Sequence, residues 1–183
     1  MTTIVYHKDY GMAADRRLTD ISMRWPPRAK IHQISAYVFC AVCGDHGVGE
    51  IAVYALQELA ARVPFPSAEK EAANYLTGLA TVLRDGGVTR EDDGSLVIVD
   101  RRAPRIVYEA PHGRPGVEVV CLDDDNPFVA YGTGREYAMG VMDMGAAPAT
   151  AVRVASRYDV CSGDGVTVLH PCTWEITEEK KYV

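Results

Sequence analysis

The sequence predicts a domain that mixes strands and helices, and two observations lead to this fold class. Short β-prone stretches give way twice to segments in which an apolar residue recurs every three or four positions. Clusters of glycine, proline and aspartate separate these stretches. The resulting order is strands, two helices, strands, two helices and a last strand, which predicts a mixed α and β fold.

The first part of the chain predicts four short strands. Residues 3–6 and 12–15 are β-prone and flank the turn-like segment Lys8-Asp9-Tyr10-Gly11. Residues 30–35 and 36–43 then predict two more strands, the second of which ends at Gly44.

A pair of helices follows these strands. From about Gly47 the apolar residues recur every four positions, which predicts an amphipathic helix that ends at Pro64. The second helix precedes Gly86-Gly87. The predicted buried stripe of the first helix is Ile51, Ala55, Leu59 and Val63, and that of the second is Ala72, Tyr75, Leu76, Leu79 and Leu83.

The remaining elements are predicted in the same way. Residues 96–99, 105–109, 117–122 and 128–131 are β-like and are separated by turn residues. Two helices fit residues 135–144 and 148–158, and a last strand fits residues 166–169, before a polar tail.

Composition and charge predict a soluble globular protein and argue against membrane and nucleic-acid partners. The chain has 183 residues, 48% hydrophobic and 24% charged, which fits one soluble domain over residues 1–183. It contains neither a run of roughly 18 apolar residues nor an N-terminal secretory signal, so we expect no membrane partner and a cytoplasmic location. The net charge of −6 argues against a nucleic-acid partner.

Cysteine and histidine spacing predicts no metal or cofactor. The pair Cys40-Ala-Val-Cys43 lacks a second such pair to complete a zinc site, and in a strand the two thiols would point to opposite faces. We therefore expect buried free thiols, consistent with a reducing compartment. The acidic segment Asp123-Asp124-Asp125 is interpreted as a solvated loop rather than a cation site.

Five segments, in order along the chain, together resemble one family. They are Met1-Thr2-Thr3-Ile4-Val5, Ala14-Asp15-Arg16-Arg17-Leu18-Thr19, Lys30 at fifteen residues beyond Asp15, Tyr131-Gly132-Thr133-Gly134-Arg135 with the helix after it, and Asp159-Val160-Cys161-Ser162-Gly163. The segments resemble the proteasome β-subunits and their bacterial HslV-type relatives, which are N-terminal-nucleophile (Ntn) hydrolases. The resemblance implies an α+β fold, a four-layer αββα sandwich in which helix pairs flank two stacked, mainly antiparallel sheets.

The resemblance also implies a nucleophile. Removal of Met1 would leave Thr2 with a free α-amine, which can take the proton of the Thr2 hydroxyl because its ordinary pKa is about 7.7–8.0, against about 10.4 for lysine. A cation beside this amine lowers its pKa further by like-charge repulsion. Lys30 would supply that cation, and Asp15 would hold Lys30 in place.

Other positions take supporting roles by the same resemblance. Thr133, Asp159 and Ser162 would form a hydrogen-bond network at the Thr2 amine, and the Gly44 N–H would stabilise the oxyanion. Thr19 would bind the substrate backbone as an added strand. The residues near the side-chain pocket would be Val42, His46 and Arg28.

Simpler interpretations of these residues remain open at this point. Asp15 is also suited to an ordinary turn and Lys30 to the surface, and Thr133 between two glycines also suits the N-cap of the next helix. Ser162 lies in a segment with good turn chemistry. If Met1 stays attached, the α-amine belongs to methionine and Thr2 has no built-in base.

The leading functional hypothesis is an endopeptidase subunit in a closed homo-oligomeric ring. Thr2 would face an interior chamber, the substrate would be a peptide or an unfolded protein, and an unfolding ATPase would be a plausible partner. Two alternatives stay open: a non-catalytic ring or scaffold subunit, for example of a viral particle, and an Ntn amidase that acts on small amides.

Overall fold

The computed structural model describes residues 2–19, 24–89, 94–112 and 116–179, without the side chains of Thr19, Arg24 and Trp25. The described chain forms two compact units. The first contains residues 1–31 and 123–183, and the second contains residues 32–122. The prediction of one domain over residues 1–183 stays a prediction.

A five-stranded antiparallel sheet is the centre of the first unit. In spatial order its strands are β10 (Phe128–Gly132), β1 (Thr3–His7), β2 (Gly11–Asp15), β11 (Val166–Leu169) and β12 (Ile176–Glu179). Strand β1 pairs with both of its neighbours, so that Thr3 lies opposite Gly132 and Ile4 lies opposite Ala14. A separate two-stranded sheet pairs β3 (Leu18–Thr19) with β4 (Arg24–Trp25) in antiparallel register.

Two helices cover one face of this sheet. Helix α3 (Arg135–Asp143) contacts β10 and β1, and α4 (Pro148–Tyr158) contacts β1, β2 and β11. Proline suits the first turn of α4 because its missing N–H has no partner there in any helix. The interface contains many alanines, whose small side chains let the helices approach the sheet closely: Ala13, Ala138, Ala151 and Ala155, with Val5, Met142, Val152, Val166 and Val168.

The second unit repeats this plan with different residues. Its antiparallel sheet runs β5 (Ile31–Gln33), β6 (Val38–Gly44), β7 (Gly94–Asp100), β8 (Ile106–Pro111) and β9 (Glu118–Cys121). Helices α1 (His46–Arg62) and α2 (Glu69–Asp85) contact β6, β7 and β8. Asp45 caps α1, since its Oδ1 accepts a hydrogen bond of 2.9 Å from the Val48 N–H.

The predicted buried stripe of α1 is confirmed in its middle, where Ala55 and Leu59 are half-buried against the core, and is wrong at both ends. Ile51 and Val63 are 54% and 50% exposed, and the helix instead buries Gly49, Ala52, Val53 and Leu56. A helix has 3.6 residues per turn, so a strict four-residue repeat drifts around the axis instead of lining one face. The stripe of α2, which mixes three- and four-residue steps, is confirmed except that Tyr75 is only half-buried.

Most other predicted elements are confirmed within a few residues, and α4 and β11 have the predicted bounds. The prediction that β11 is the last strand is wrong, because residues 176–179 form β12. The sequence of this edge strand has no alternation of apolar and polar residues. The strand is stabilised by its pairing with β11 and by ion pairs of Glu178 and Glu179. Their partners are Arg16, at 2.8 Å, and Arg153.

All five cysteines are free thiols. Cys40 is buried, as predicted, and burial raises the pKa of its thiol. Cys43 is only half-buried, and Cys121 and Cys172 are exposed. No helix in the described part of the chain has the length and the apolar character needed to cross a membrane.

Candidate active site

Three polar side chains meet in the interior of the first unit. Thr2 directly precedes β1, Asp15 ends β2, and Lys30 directly precedes β5. The Lys30 Nζ donates hydrogen bonds to the Thr2 Oγ1, at 3.0 Å, and to the Asp15 Oδ1, at 2.9 Å. None of the three residues is more than 3% exposed. A lysine ammonium is thus held between a buried carboxylate and a buried hydroxyl.

Four donors surround the Asp15 carboxylate. The Oδ1 accepts from the Thr3 N–H at 2.8 Å as well as from Lys30. The Oδ2 accepts from the N–H groups of Arg17 and Gly163, at 3.0 and 3.1 Å. A buried carboxylate is costly unless its oxygens are hydrogen-bonded, and here both are. These bonds fix the position of Asp15 and, through it, that of Lys30.

A second group of hydroxyls gathers on Asp159, the residue that follows α4. Its Oδ2 accepts from the hydroxyls of Ser162 and Thr133, at 2.6 and 2.7 Å, and its Oδ1 accepts from the Cys161 N–H at 3.0 Å. Partial burial acts to raise the pKa of Asp159, whereas these three hydrogen bonds act to lower it, and the pKa lies below its ordinary value. Asp159 is therefore an anchor for two hydroxyl groups.

The turn that carries Ser162 is shaped by unusual backbone angles and held by Arg17. Gly163 and Asp164 have φ values of 143° and 64°, in the region that favours glycine. The Arg17 Nη1 donates to the Val160 carbonyl at 2.6 Å, and its Nε lies 3.4 Å from the Asp164 carboxylate. Arg17 thus fastens the turn beside the end of β2.

Thr3 joins the two groups, and the sequence analysis did not predict its role. Its N–H bonds Asp15, and its Oγ1 lies 2.6 Å from the Ser162 Oγ. Gly134 leaves room for this side chain, because a Cβ on Gly134 would lie 2.0 Å from the Thr3 Oγ1. The sequence gives no local signal for this role, because the contact joins residues that are 159 positions apart.

The six predicted catalytic residues therefore belong to one connected set of hydrogen bonds in the first unit. Thr2, Asp15 and Lys30 form one end, and Thr133, Asp159 and Ser162 form the other. Their roles stay predictions.

Two of the simpler interpretations are wrong. Lys30 is buried rather than at the surface. Thr133 is not the N-cap of α3, which is Gly134, and its hydroxyl proton is directed to Asp159. Ser162 ends a turn, which its N–H closes by donating to the Asp159 carbonyl at 3.2 Å, and its hydroxyl also takes part in the hydrogen-bond network.

The predicted substrate and oxyanion residues lie in several elements. In the first unit, Thr19 ends β3 and the exposed Arg28 donates its N–H to the Arg16 carbonyl at 3.1 Å. In the second unit, Val42 is buried in β6, and Gly44 ends that strand with a φ of 96°. The remaining one, His46, opens α1 and lies 3.5 Å from Glu50. The predicted roles of these residues stay predictions, and Met1 lies outside the described residues.

Comparison with known proteins identifies the fold. No protein-family model matches the chain, and no curated protein matches it by sequence. Among solved structures, the chain is similar to eukaryotic HslV from Trypanosoma brucei, with a TM-score of 0.66 and 16% identity over 99% of this chain and 100% of that one. The chain has the HslV-type fold. The predicted fold class is confirmed.

Proposed function

We propose that the chain is a threonine peptidase subunit, in which Thr2 becomes the nucleophile after Met1 is removed. The observation that carries this proposal is the Lys30 ammonium, 3.0 Å from the Thr2 hydroxyl and 2.9 Å from Asp15. A buried cation that donates to a hydroxyl oxygen stabilises the alkoxide which develops as that hydroxyl loses its proton. The HslV-type fold supports the same activity.

The free α-amine of Thr2 would act as the general base. Its proton affinity is suited to this role near pH 7, and the positive charge of Lys30 lowers that affinity further. The hydroxyl oxygen attacks the peptide carbonyl while its proton passes to the amine and then to the leaving amino group. Water hydrolyses the resulting ester and restores Thr2.

Five further residues are proposed to bind the substrate or its oxyanion. The Gly44 N–H would bind the oxyanion; glycine suits this position because the backbone φ of 96° disfavours any residue with a Cβ. Thr19 would bind the substrate main chain. We propose Val42, His46 and Arg28 as the residues that select the substrate side chain.

Assembly follows from the same proposal. We expect the subunit to form a homo-oligomeric ring in the cytoplasm that encloses Thr2, and an unfolding ATPase to deliver protein substrates to it. Sedimentation velocity of the purified chain tests the ring, since a monomer of 20.0 kDa would contradict it.

The nucleophile is tested with a peptide carrying an electrophilic β-lactone, followed by intact-mass and fragment analysis. We expect one adduct per chain, on Thr2, and none on Thr2→Ala. The matched control Thr150→Ala removes an exposed threonine from α4 and should label like the wild type. An adduct elsewhere, or no adduct on a chain that has lost Met1, would contradict the proposal.

The mass of the untreated protein separates the alternatives. Loss of one methionine is required for the hydrolase, whereas its full retention in the assembled protein favours a non-catalytic scaffold. If Thr2 labels but only small amides are cleaved, the amidase replaces the peptidase.

A further inference from the structure

Thr3 bonds both ends of the polar network through its own atoms. Its N–H donates to Asp15, the anchor of Lys30, and its side chain contacts Ser162, which bonds Asp159. Thr3 is fully buried at the start of β1, directly after Thr2. Any displacement of Thr3 therefore moves Thr2 relative to Lys30.

The direction of the bond between Thr3 and Ser162 follows from counting protons. The Asp159 Oδ2 lies 2.6 Å from the Ser162 Oγ, and an ionised carboxylate only accepts hydrogen bonds. Ser162 has a single hydroxyl proton, which is used in that bond. The Thr3 hydroxyl is therefore the donor to Ser162, in a contact of 2.6 Å between two buried residues.

The space around the Thr3 side chain is restricted. A Cβ added to Gly134 would lie 2.0 Å from the Thr3 Oγ1 and 3.2 Å from the Thr3 Cβ. The φ of Gly134 is −87°, which any residue can adopt, so the need for glycine here comes from the close contact and not from the backbone angle. The Thr3 rotamer is thus set by Gly134 on one side and by Ser162 on the other.

We propose that Thr3 is a positioning residue, whose hydroxyl bond to Ser162 sets the placement of the Thr2 nucleophile against Lys30. This inference rests on the proposed function, in which Thr2 reacts. Thr3 has no contact with the reacting atoms in this scheme. It acts through the backbone that it shares with Thr2 and through the two carboxylates that it links.

The test compares Thr3→Val with Thr3→Ser in the β-lactone labelling reaction. Valine keeps the shape of threonine and removes the hydroxyl, whereas serine keeps the hydroxyl. We expect Thr3→Val to lower the maximal rate of labelling roughly 10- to 100-fold, because small errors in the placement of a reacting group have effects of this size. The electrophile concentration at half-maximal rate should stay unchanged, and Thr3→Ser should retain most of the rate.

A matched control separates this effect from the loss of any buried hydroxyl. Thr167 lies in β11 of the same sheet and is fully buried, and its Oγ1 has no hydrogen-bond partner within the described residues. Thr167→Val should label at the wild-type rate. Thermal melts of all variants identify any loss of folded protein, and if Thr3→Val does not fold, Gly134→Ala displaces the same hydroxyl.

The outcomes distinguish this inference from the function on which it rests. If the wild type labels at Thr2 and Thr3→Val labels equally fast, the positioning role is overturned and the nucleophile stands. If Thr3→Ser is as slow as Thr3→Val, side-chain shape rather than the hydroxyl is responsible, which also overturns the inference. If the wild type does not label, the proposed function fails and the positioning role fails with it.

Discussion

The two units of the molecule share a plan, a five-stranded antiparallel sheet with two helices, but differ in what they bury. The buried polar residues described in the first unit are Thr2, Thr3, His7, Asp15, Lys30, Ser162, Asp164 and Thr167, and those in the second are Ser95, Asp100 and His112. The second unit buries mainly aliphatic side chains between sheet and helices. The polar residues are therefore concentrated in one of two similar frameworks.

Each unit contains a buried aspartate paired with a cation, and the two pairs do different things. In the second unit, Arg102 bonds Asp100 at 2.9 Å and also donates to the Phe65 carbonyl at 3.0 Å. This pair therefore links the end of β7 to the backbone between α1 and α2. In the first unit, Lys30 bonds Asp15 and a threonine hydroxyl. The second contact therefore differs in kind: it is a backbone carbonyl for Arg102 and a side-chain hydroxyl for Lys30.

The two ion pairs are therefore expected to differ in how much they contribute to the stability of the fold. A buried ion pair adds little to folding compared with apolar residues of the same volume, because both charges lose their hydration. The Arg102 side chain is about a third exposed and keeps part of its hydration, whereas the Lys30 side chain is buried and loses it. Under the proposed function, the Lys30–Asp15 pair acts on the reactivity of Thr2.

The largest expected effect comes from removing each cation in turn. Lys30→Met should slow labelling of Thr2 roughly 10²- to 10³-fold, the usual loss when one preorganised electrostatic group is removed. It should also lower the free energy of unfolding by about 3–5 kcal/mol, because Asp15 stays buried without its cation. Arg102→Met should lower the free energy of unfolding by about 1–3 kcal/mol and leave the labelling rate unchanged.

Labelling kinetics and urea unfolding measure both quantities on the same samples. Equal loss of labelling in the two variants, per folded molecule, would remove the distinction between the pairs. So would a Lys30→Met chain that labels as fast as the wild type.

The sequence predicted the framework well because hydrophobic period and turn residues are local signals. The stripe of α2 and the bounds of α4 follow from apolar spacing and from Pro148. The edge strand β12 was missed because its residues, Ile176 to Glu179, carry no such period and are held by pairing with β11. Pairing between distant segments leaves no local pattern.

In the candidate site, too, the residues within recognisable short segments were predicted, whereas those that depend on contacts between distant segments were not. Asp15, Lys30 and Asp159 were predicted through a resemblance of short segments, and the structure brings them into one network. Thr3 and Gly134 were missed as site residues. Their importance comes from a close approach of segments more than 100 residues apart, which neither residue type indicates alone.

A smaller effect is expected from filling the space beside Thr3. Gly134→Ala should displace the Thr3 hydroxyl and slow labelling roughly 10-fold, since its Cβ would lie 2.0 Å from that oxygen. Gly140 in α3 and Gly78 in α2 have nothing within 4 Å of an added Cβ. Alanine at either position should raise the free energy of unfolding by about 0.5–1 kcal/mol, through helix propensity, with no change in labelling.

These three variants compare the units directly, because the same substitution is made at a crowded position of the network and at an open position in each unit. Stability is measured by thermal melts and the rate by intact mass. A Gly134→Ala variant that labels normally would show that the Thr3 rotamer is not tightly restricted.

The smallest expected effect is the pH dependence of stability at Asp159. Hydrogen bonds lower the pKa of this carboxyl in the folded protein, so the unfolded chain takes up the proton first as the solution is acidified. The contribution of Asp159 to stability is complete above its unfolded pKa of about 3.9 and is lost as the pH falls through the lowered folded value. Asp159→Asn has no such carboxyl. The difference in free energy of unfolding between this variant and the wild type should therefore become smaller between pH 6 and pH 3.

Urea unfolding across this range measures the deficit, and Asp125→Asn, which removes the same charge from an exposed loop, is the control. The control should track the wild type at every pH. A deficit of Asp159→Asn that stays constant down to pH 3 would mean that the bonds from Ser162 and Thr133 do not favour the ionised carboxylate. The direction assigned to the Thr3–Ser162 bond would then fail as well, because it depends on an Asp159 that only accepts.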